Sequence, residues 1–82
     1  MDFEEKRDSV LCALYAKVGE DGTRFITLRS LADLLGYDIN ELRTIAERLE
    51  TEGFIKHRGA FGGGAIAITG MGIMYAQNAC KD

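Results

Sequence analysis

The 82-residue sequence has no proline, one histidine and two cysteines. Without proline, no helix can be stopped by a ring that removes a backbone donor, so the breaks must come from glycine. One histidine and two cysteines are too few for a structural zinc site, which wants four well-spaced ligands. Positive charge is not in excess: ten Lys/Arg face 13 Asp/Glu, a net charge of −3. That balance argues against a general nucleic-acid coat and against a polybasic membrane-surface protein. Long apolar runs are also missing. The longest uncharged stretch, Gly59 to Cys80, is broken by six glycines and lacks the roughly 18 consecutive apolar residues of a membrane span. No Ser/His/Asp or Cys/His set lies close in sequence, so neither catalysis nor a cofactor is expected. His57 stands alone, which leaves it no metal or catalytic role.

The start, Met1 to Asp8, has no apolar core of the kind an export signal needs. A cytoplasmic protein with reduced thiols is the expectation. Cys12 and Cys80 then read as small buried hydrophobes, or as a redox pair if the terminal helices touch.

Apolar residues make up 46% of the chain, enough for one compact domain spanning residues 1–82 and too little for two. Charge is uneven. Residues 1–41 carry five basic and nine acidic side chains, residues 42–82 five and four, and no acid occurs from Gly53 to Lys81.

Phe3, Val10, Leu11, Leu14, Tyr15 and Val18 recur at helical spacing and predict a first helix over about residues 4–18, closed by the Gly19–Gly22 turn. Residues 24–27 are β-prone, and Thr27 is a plausible N-cap for a second helix built on Leu28, Leu31, Ala32 and Leu35. Gly36 closes it. Asp38 is a good N-cap for a third helix, and Glu41, three residues on, predicts a capping box. Ile39, Leu42, Ile45, Ala46 and Leu49 form its apolar stripe. Residues 54–58 and 65–68 read as a β-hairpin with a glycine-rich tip, and Thr69 caps a last helix over about residues 70–80.

Two short helices joined around a glycine are a helix-turn-helix signal, and a hairpin directly after the second is a wing. The segments Ser30-Leu31-Ala32-Asp33-Leu34-Leu35-Gly36, Leu49-Glu50-Thr51-Glu52-Gly53-Phe54-Ile55 and Ile68-Thr69-Gly70-Met71-Gly72-Ile73-Met74-Tyr75-Ala76 stand in the order and spacing of the winged helix-turn-helix family. The chain resembles that family from Phe3 to Cys80. The resemblance implies an α+β, mainly α fold of order α1-β1-α2-α3-β2-β3-α4. It also implies double-stranded DNA as partner, with the third helix in the major groove and the wing on backbone or minor groove.

A helical wheel of about 100° per residue supports this independently. With Leu42 and Leu49 inward, Asn40, Thr44, Glu47 and Thr51 point outward, flanked by Arg43 and Arg48. Asn pairs with adenine, Arg with guanine, and Thr touches a base or the thymine methyl. An ordinary solvated helix face carries the same residue types. Lys56 and Arg58, alternating with His57, are a phosphate clamp beside the wing or a strand edge kept soluble by charge. Arg24 and Arg29 complete the nearby cations. The third helix, residues 38–52, holds five acids and two arginines. A monomer would therefore hold phosphate weakly, and a two-fold dimer would double the contacts.

The run Gly62 to Ala67 fits G-x-G-x-x-A but follows no βαβ unit and leads into a strand, so it is no dinucleotide fingerprint. Phe61, immediately before that run and flanked by the glycines, either inserts into a partner or folds back on the domain. The last helix has no charge between Gly70 and Ala79. It is either covered by the first helix and the wing, or, with Met71, Met74 and Tyr75 joined by Leu11 and Tyr15, forms a homodimer interface. The leading expectation is a small DNA-binding transcription regulator. The competing one is a winged-helix protein-interaction module without specific DNA binding.

Overall fold

A computed structural model of the chain describes residues 2–59 and 64–80. The elements are α1 (Phe3–Val18), β1 (Ile26–Thr27), α2 (Leu28–Leu35), α3 (Ile39–Thr51), β2 (Ile55–Arg58), β3 (Ala65–Ile68) and α4 (Gly70–Ala79). This is the order expected from the sequence. The glycine-rich tip and Phe61 lie, with residues 60–63, outside the described residues.

Local chemistry explains most boundaries. Thr27 accepts a hydrogen bond from the Ser30 amide, and Thr69 accepts one from the Gly72 amide, so both act as the N-caps their sequence positions suggest. Gly36 ends α2 in the left-handed conformation, with φ of 72°. At Asp38 the outcome differs. Its carboxylate accepts from the Asn40 amide, but no capping box forms, because Glu41 is drawn across to the Lys6 ammonium on α1. The capping box appears at α1 instead, where Asp2 accepts from the Glu5 amide at 2.8 Å and Glu5 accepts from the Asp2 amide at 3.1 Å.

Strand β1 is shorter than the β-prone run, because only Ile26 and Thr27 pair with β3. The sheet order is β1-β3-β2, antiparallel throughout, with Ile26 opposite Ile66 and His57 opposite Ile66 on the other side. Ile55, Ile66 and Ile68 share the inward face. They meet Val10, Leu11 and Leu14 of α1, Leu28 and Leu31 of α2, and Leu42, Ile45 and Leu49 of α3 in one core. Leu11 is wholly buried in that core and offers nothing to a second copy, which corrects its assignment to a dimer interface.

Helix α4 lies along α1 and is held at three levels. Gly72 sits so close to the Phe54 carbonyl that a Cβ there would come within 2.1 Å of the oxygen, and Ala76 is fully buried. Tyr75 stacks on Phe54 with ring centroids 4.6 Å apart. At its end, Cys80 forms a disulfide with Cys12 of α1, with Cα atoms 5.7 Å apart. The expectation of reduced thiols is therefore overturned. The two terminal helices run side by side and bring together residues 68 positions apart.

Arg7 takes on a structural role where the helices pack together. It is only 9% exposed. Its guanidinium donates to both Glu52 carboxylate oxygens, at 2.9 and 3.2 Å, to Asp8 at 3.0 Å, and to the Tyr75 hydroxyl at 2.8 Å. Tyr75 in turn donates to Asp8 at 2.9 Å. One cation thus ties α1 to the end of α3 and to α4, with its donors satisfied as burial demands. Burial opposes the Arg7 charge, yet the Asp8 hydrogen bond and the Glu52 charge outweigh it and hold its pKa above the ordinary value.

Candidate nucleic-acid interface

Helix α3 turns Leu42, Ile45, Ala46 and Leu49 into the core and leaves Asn40, Arg43, Thr44, Glu47, Arg48 and Thr51 exposed. The periodicity in the sequence is thus reproduced in space, and Asn40, Thr44, Glu47 and Thr51 lie along its outward crest. The first turn of that face is internally braced. The Arg43 guanidinium donates to the Asn40 side-chain oxygen at 3.4 Å, and the Thr44 hydroxyl donates to the Asn40 carbonyl at 3.2 Å.

The acids of α3 are sorted by position. Asp38 caps the helix, Glu41 pairs with Lys6, and Glu52 is shared by Arg7 and Arg48. Of these five acids, only Glu47 and Glu50 carry exposed carboxylates with no hydrogen bond or ion pair among the described residues. Two of the five acids, Glu41 and Glu52, are therefore spent on packing α3 against α1, and Asp38 on capping the helix. Arg48 is drawn the same way: its Nε donates to Glu52 at 3.2 Å, and its guanidinium lies 5.5 Å from the Phe3 ring centre. Of the two α3 arginines, Arg43 is the one that stays on the outward side.

The strand cations are exposed as expected. Lys56 pairs across from Ala67, and Arg58 from Ala65, on the face of the sheet turned away from the core. Arg58 lies 4.2 Å above the Phe25 ring, a cation–π contact that leans it toward β1. Arg24 donates to the Lys17 carbonyl at 3.4 Å, and Arg29 is exposed on α2. No contact among the described residues joins Lys56, Arg58 or Arg29 to Arg43.

The architecture has a counterpart among solved structures. The oxidized form of MarR from E. coli superimposes with a TM-score of 0.73 over 90% of this chain, at 19% identity. The chain has the winged-helix fold. The likeness is one of fold, and the chain spans half the length of the MarR chain it matches. No protein-family model matches the sequence, and no curated protein matches it by sequence.

In winged-helix terms, α2 and α3 are the helix-turn-helix pair and β2–β3 is the wing. The exposed face of α3 offers an amide, a hydroxyl, a guanidinium and a carboxylate within three turns, a set able to donate to and accept from base edges. Tyr75 does not stand at a free surface in the way its sequence position suggested, since it is half-buried and engaged with Arg7 and Asp8. Met71 and Met74 are exposed, at 59% and 66%. Tyr15 is half-buried and accepts from Gln77 of α4 at 3.4 Å.

Residues missed by the sequence reading are Lys6, Arg7 and Phe3, which neutralise or restrain Glu41, Glu52 and Arg48. One sign was present. Arg7 falls three and four residues before Val10 and Leu11, on the apolar stripe of α1, where a charge requires a partner.

Proposed function

We propose that the protein is a small DNA-binding transcription regulator, not an enzyme, formed by residues 1–82 as one winged-helix domain. Helix α3 is its recognition helix, and the hairpin built on β2 and β3 contacts the sugar–phosphate backbone. The observation that carries this reading is the outward face of α3. Asn40, Arg43 and Thr44 are exposed together near the start of the helix, the part that reaches base edges in helix-turn-helix proteins, and Glu47 is exposed one turn further on. Arg48, Lys56, Arg58 and Arg29 supply phosphate contacts, with Arg48 giving up Glu52 when it does so.

Few cations mean modest affinity per chain, so the active form is a homodimer that reads two half-sites. Met71 and Met74 supply exposed apolar area for that contact, with Tyr75 and Tyr15 at its edge. A cytoplasmic location goes with this reading. No described helix is long and apolar enough to cross a membrane. The net charge of −3 favours a second reading, a winged-helix module that docks on another protein.

Fluorescence anisotropy against random duplex at two salt concentrations separates the two readings. The regulator binds at low salt, weakens steeply as salt rises, and weakens further in Arg43→Ala and Arg58→Ala. No binding to random duplex at low salt overturns the regulator reading and favours the docking module instead.

A further inference from the structure

The DNA-binding reading leaves open what the site prefers, and the charge sorting on α3 bears on that. Three of the five acids in residues 38–52 have structural partners or a capping role. Glu47 does not. It is exposed on the crest, one turn beyond Arg43, and takes no hydrogen bond from that arginine, which turns to Asn40 instead. A carboxylate on a surface that approaches phosphates weakens non-specific attraction. The contact on which it gains is a donor in the major groove, and the cytosine N4 amino group is the donor a carboxylate accepts from. Glu50 is also exposed, but it sits in the last turn, away from the end that enters the groove.

Arg43 supplies the complementary half. Asn40 holds its guanidinium on the outward side, and a bidentate guanidinium reads the O6 and N7 acceptors of guanine. Asn40 is thereby a positioning residue rather than an adenine reader. Residues 43 and 47 are four positions apart, or about 6 Å along the helix, close to two base-pair steps of about 3.4 Å each.

Resting on the DNA-binding reading, we infer that the preferred half-site contains two G·C pairs about two steps apart, with Arg43 reading the guanine of one and Glu47 the cytosine of the other.

The test is selection from a randomised duplex pool at low salt, using the 82-residue chain and the variants Glu47→Gln and Arg43→Ala, followed by anisotropy on the selected sequences. Both residues are exposed, and circular dichroism confirms that the variants fold. The native chain enriches sequences with the two G·C pairs. E47Q keeps the first and exchanges cytosine for adenine at the second, since Gln pairs with adenine, while its affinity for random duplex rises with the lost negative charge. R43A loses guanine discrimination by roughly ten-fold or more. If both variants select the same sequence as the native chain, the assignment of these two readers is wrong although DNA binding stands. If no duplex is retained by the native chain, the DNA-binding reading itself fails.

Discussion

Reducing the Cys12–Cys80 bridge is expected to take away a large share of the stability of this domain. The bridge closes a chain segment with a sequence separation of 68. Restricting the unfolded chain over a loop of that length is worth about 4 kcal/mol in the chain-entropy account. A small domain of this size has a total stability of roughly 4–12 kcal/mol, so the bridge supplies between a third and all of it. Each kcal/mol moves the midpoint of a domain this small by about 4–8 °C, which predicts a fall in Tm of roughly 15–30 °C. Thermal unfolding followed by circular dichroism, with and without a phosphine reductant, measures it directly. A Cys12→Ser, Cys80→Ser double variant should melt like the reduced protein and ignore the reductant. A Tm change below about 4 °C, equivalent to about 1 kcal/mol, would refute the reasoning. So would two titratable thiols in protein never exposed to reductant.

Three further outcomes follow from the packing of α4. Gly72→Ala should destabilise by about 2 kcal/mol or more in urea unfolding, because the new methyl meets the Phe54 carbonyl, whereas Gly70→Ala meets nothing and should be neutral or slightly stabilising. Arg7→Met should cost about 1–3 kcal/mol, since Glu52 then keeps only Arg48 and Asp8 only the Tyr75 hydroxyl; a variant as stable as the native chain would show that the buried guanidinium is dispensable. Burial, and then the hydrogen bond to Asp8, pushes the Tyr75 phenol above its ordinary pKa, so the fold favours its neutral form. That contribution is fully present below about pH 10, the unfolded value, and is lost as pH rises through the folded one. Stability should therefore decline above about pH 10 and decline less in Tyr75→Phe, which is itself weaker at neutral pH by about 1 kcal/mol. Equal alkaline slopes for the two proteins would remove Tyr75 as the cause.

Local order was legible because local rules govern it. Thr27, Asp38 and Thr69 cap helices where their side chains can reach an amide two or three residues on. Gly36 ends α2 because it adopts a positive φ at little cost. The α3 stripe turned inward because 3.6-residue periodicity leaves an amphipathic helix one way to bury it. The candidate site was legible to the same extent: Asn40, Arg43, Thr44 and Glu47 are exposed on one helix as the wheel required.

Partners distant in sequence were not legible. Glu41 had two uses, a local capping box or a bond to another helix, and only the approach of Lys6 decided for the latter. Arg48 looked like a free flanking cation until Phe3 of α1 was placed beside it. Arg58 read equally as a phosphate clamp or a charged strand edge, and its seat over Phe25 came only with the fold.

By itself, then, the sequence determined the elements, their caps, their buried faces and the outward crest of α3, since each depends on side chains within about one helical turn or on strand alternation. The tertiary structure alone decided three things: the pairing of Cys12 with Cys80, the burial of Arg7 among Asp8, Glu52 and Tyr75, and which charges of α3 stay turned to solvent. Those outcomes depend on how α1 lies against α3 and α4. Contacts of that kind are set by the shared core, which no single segment specifies.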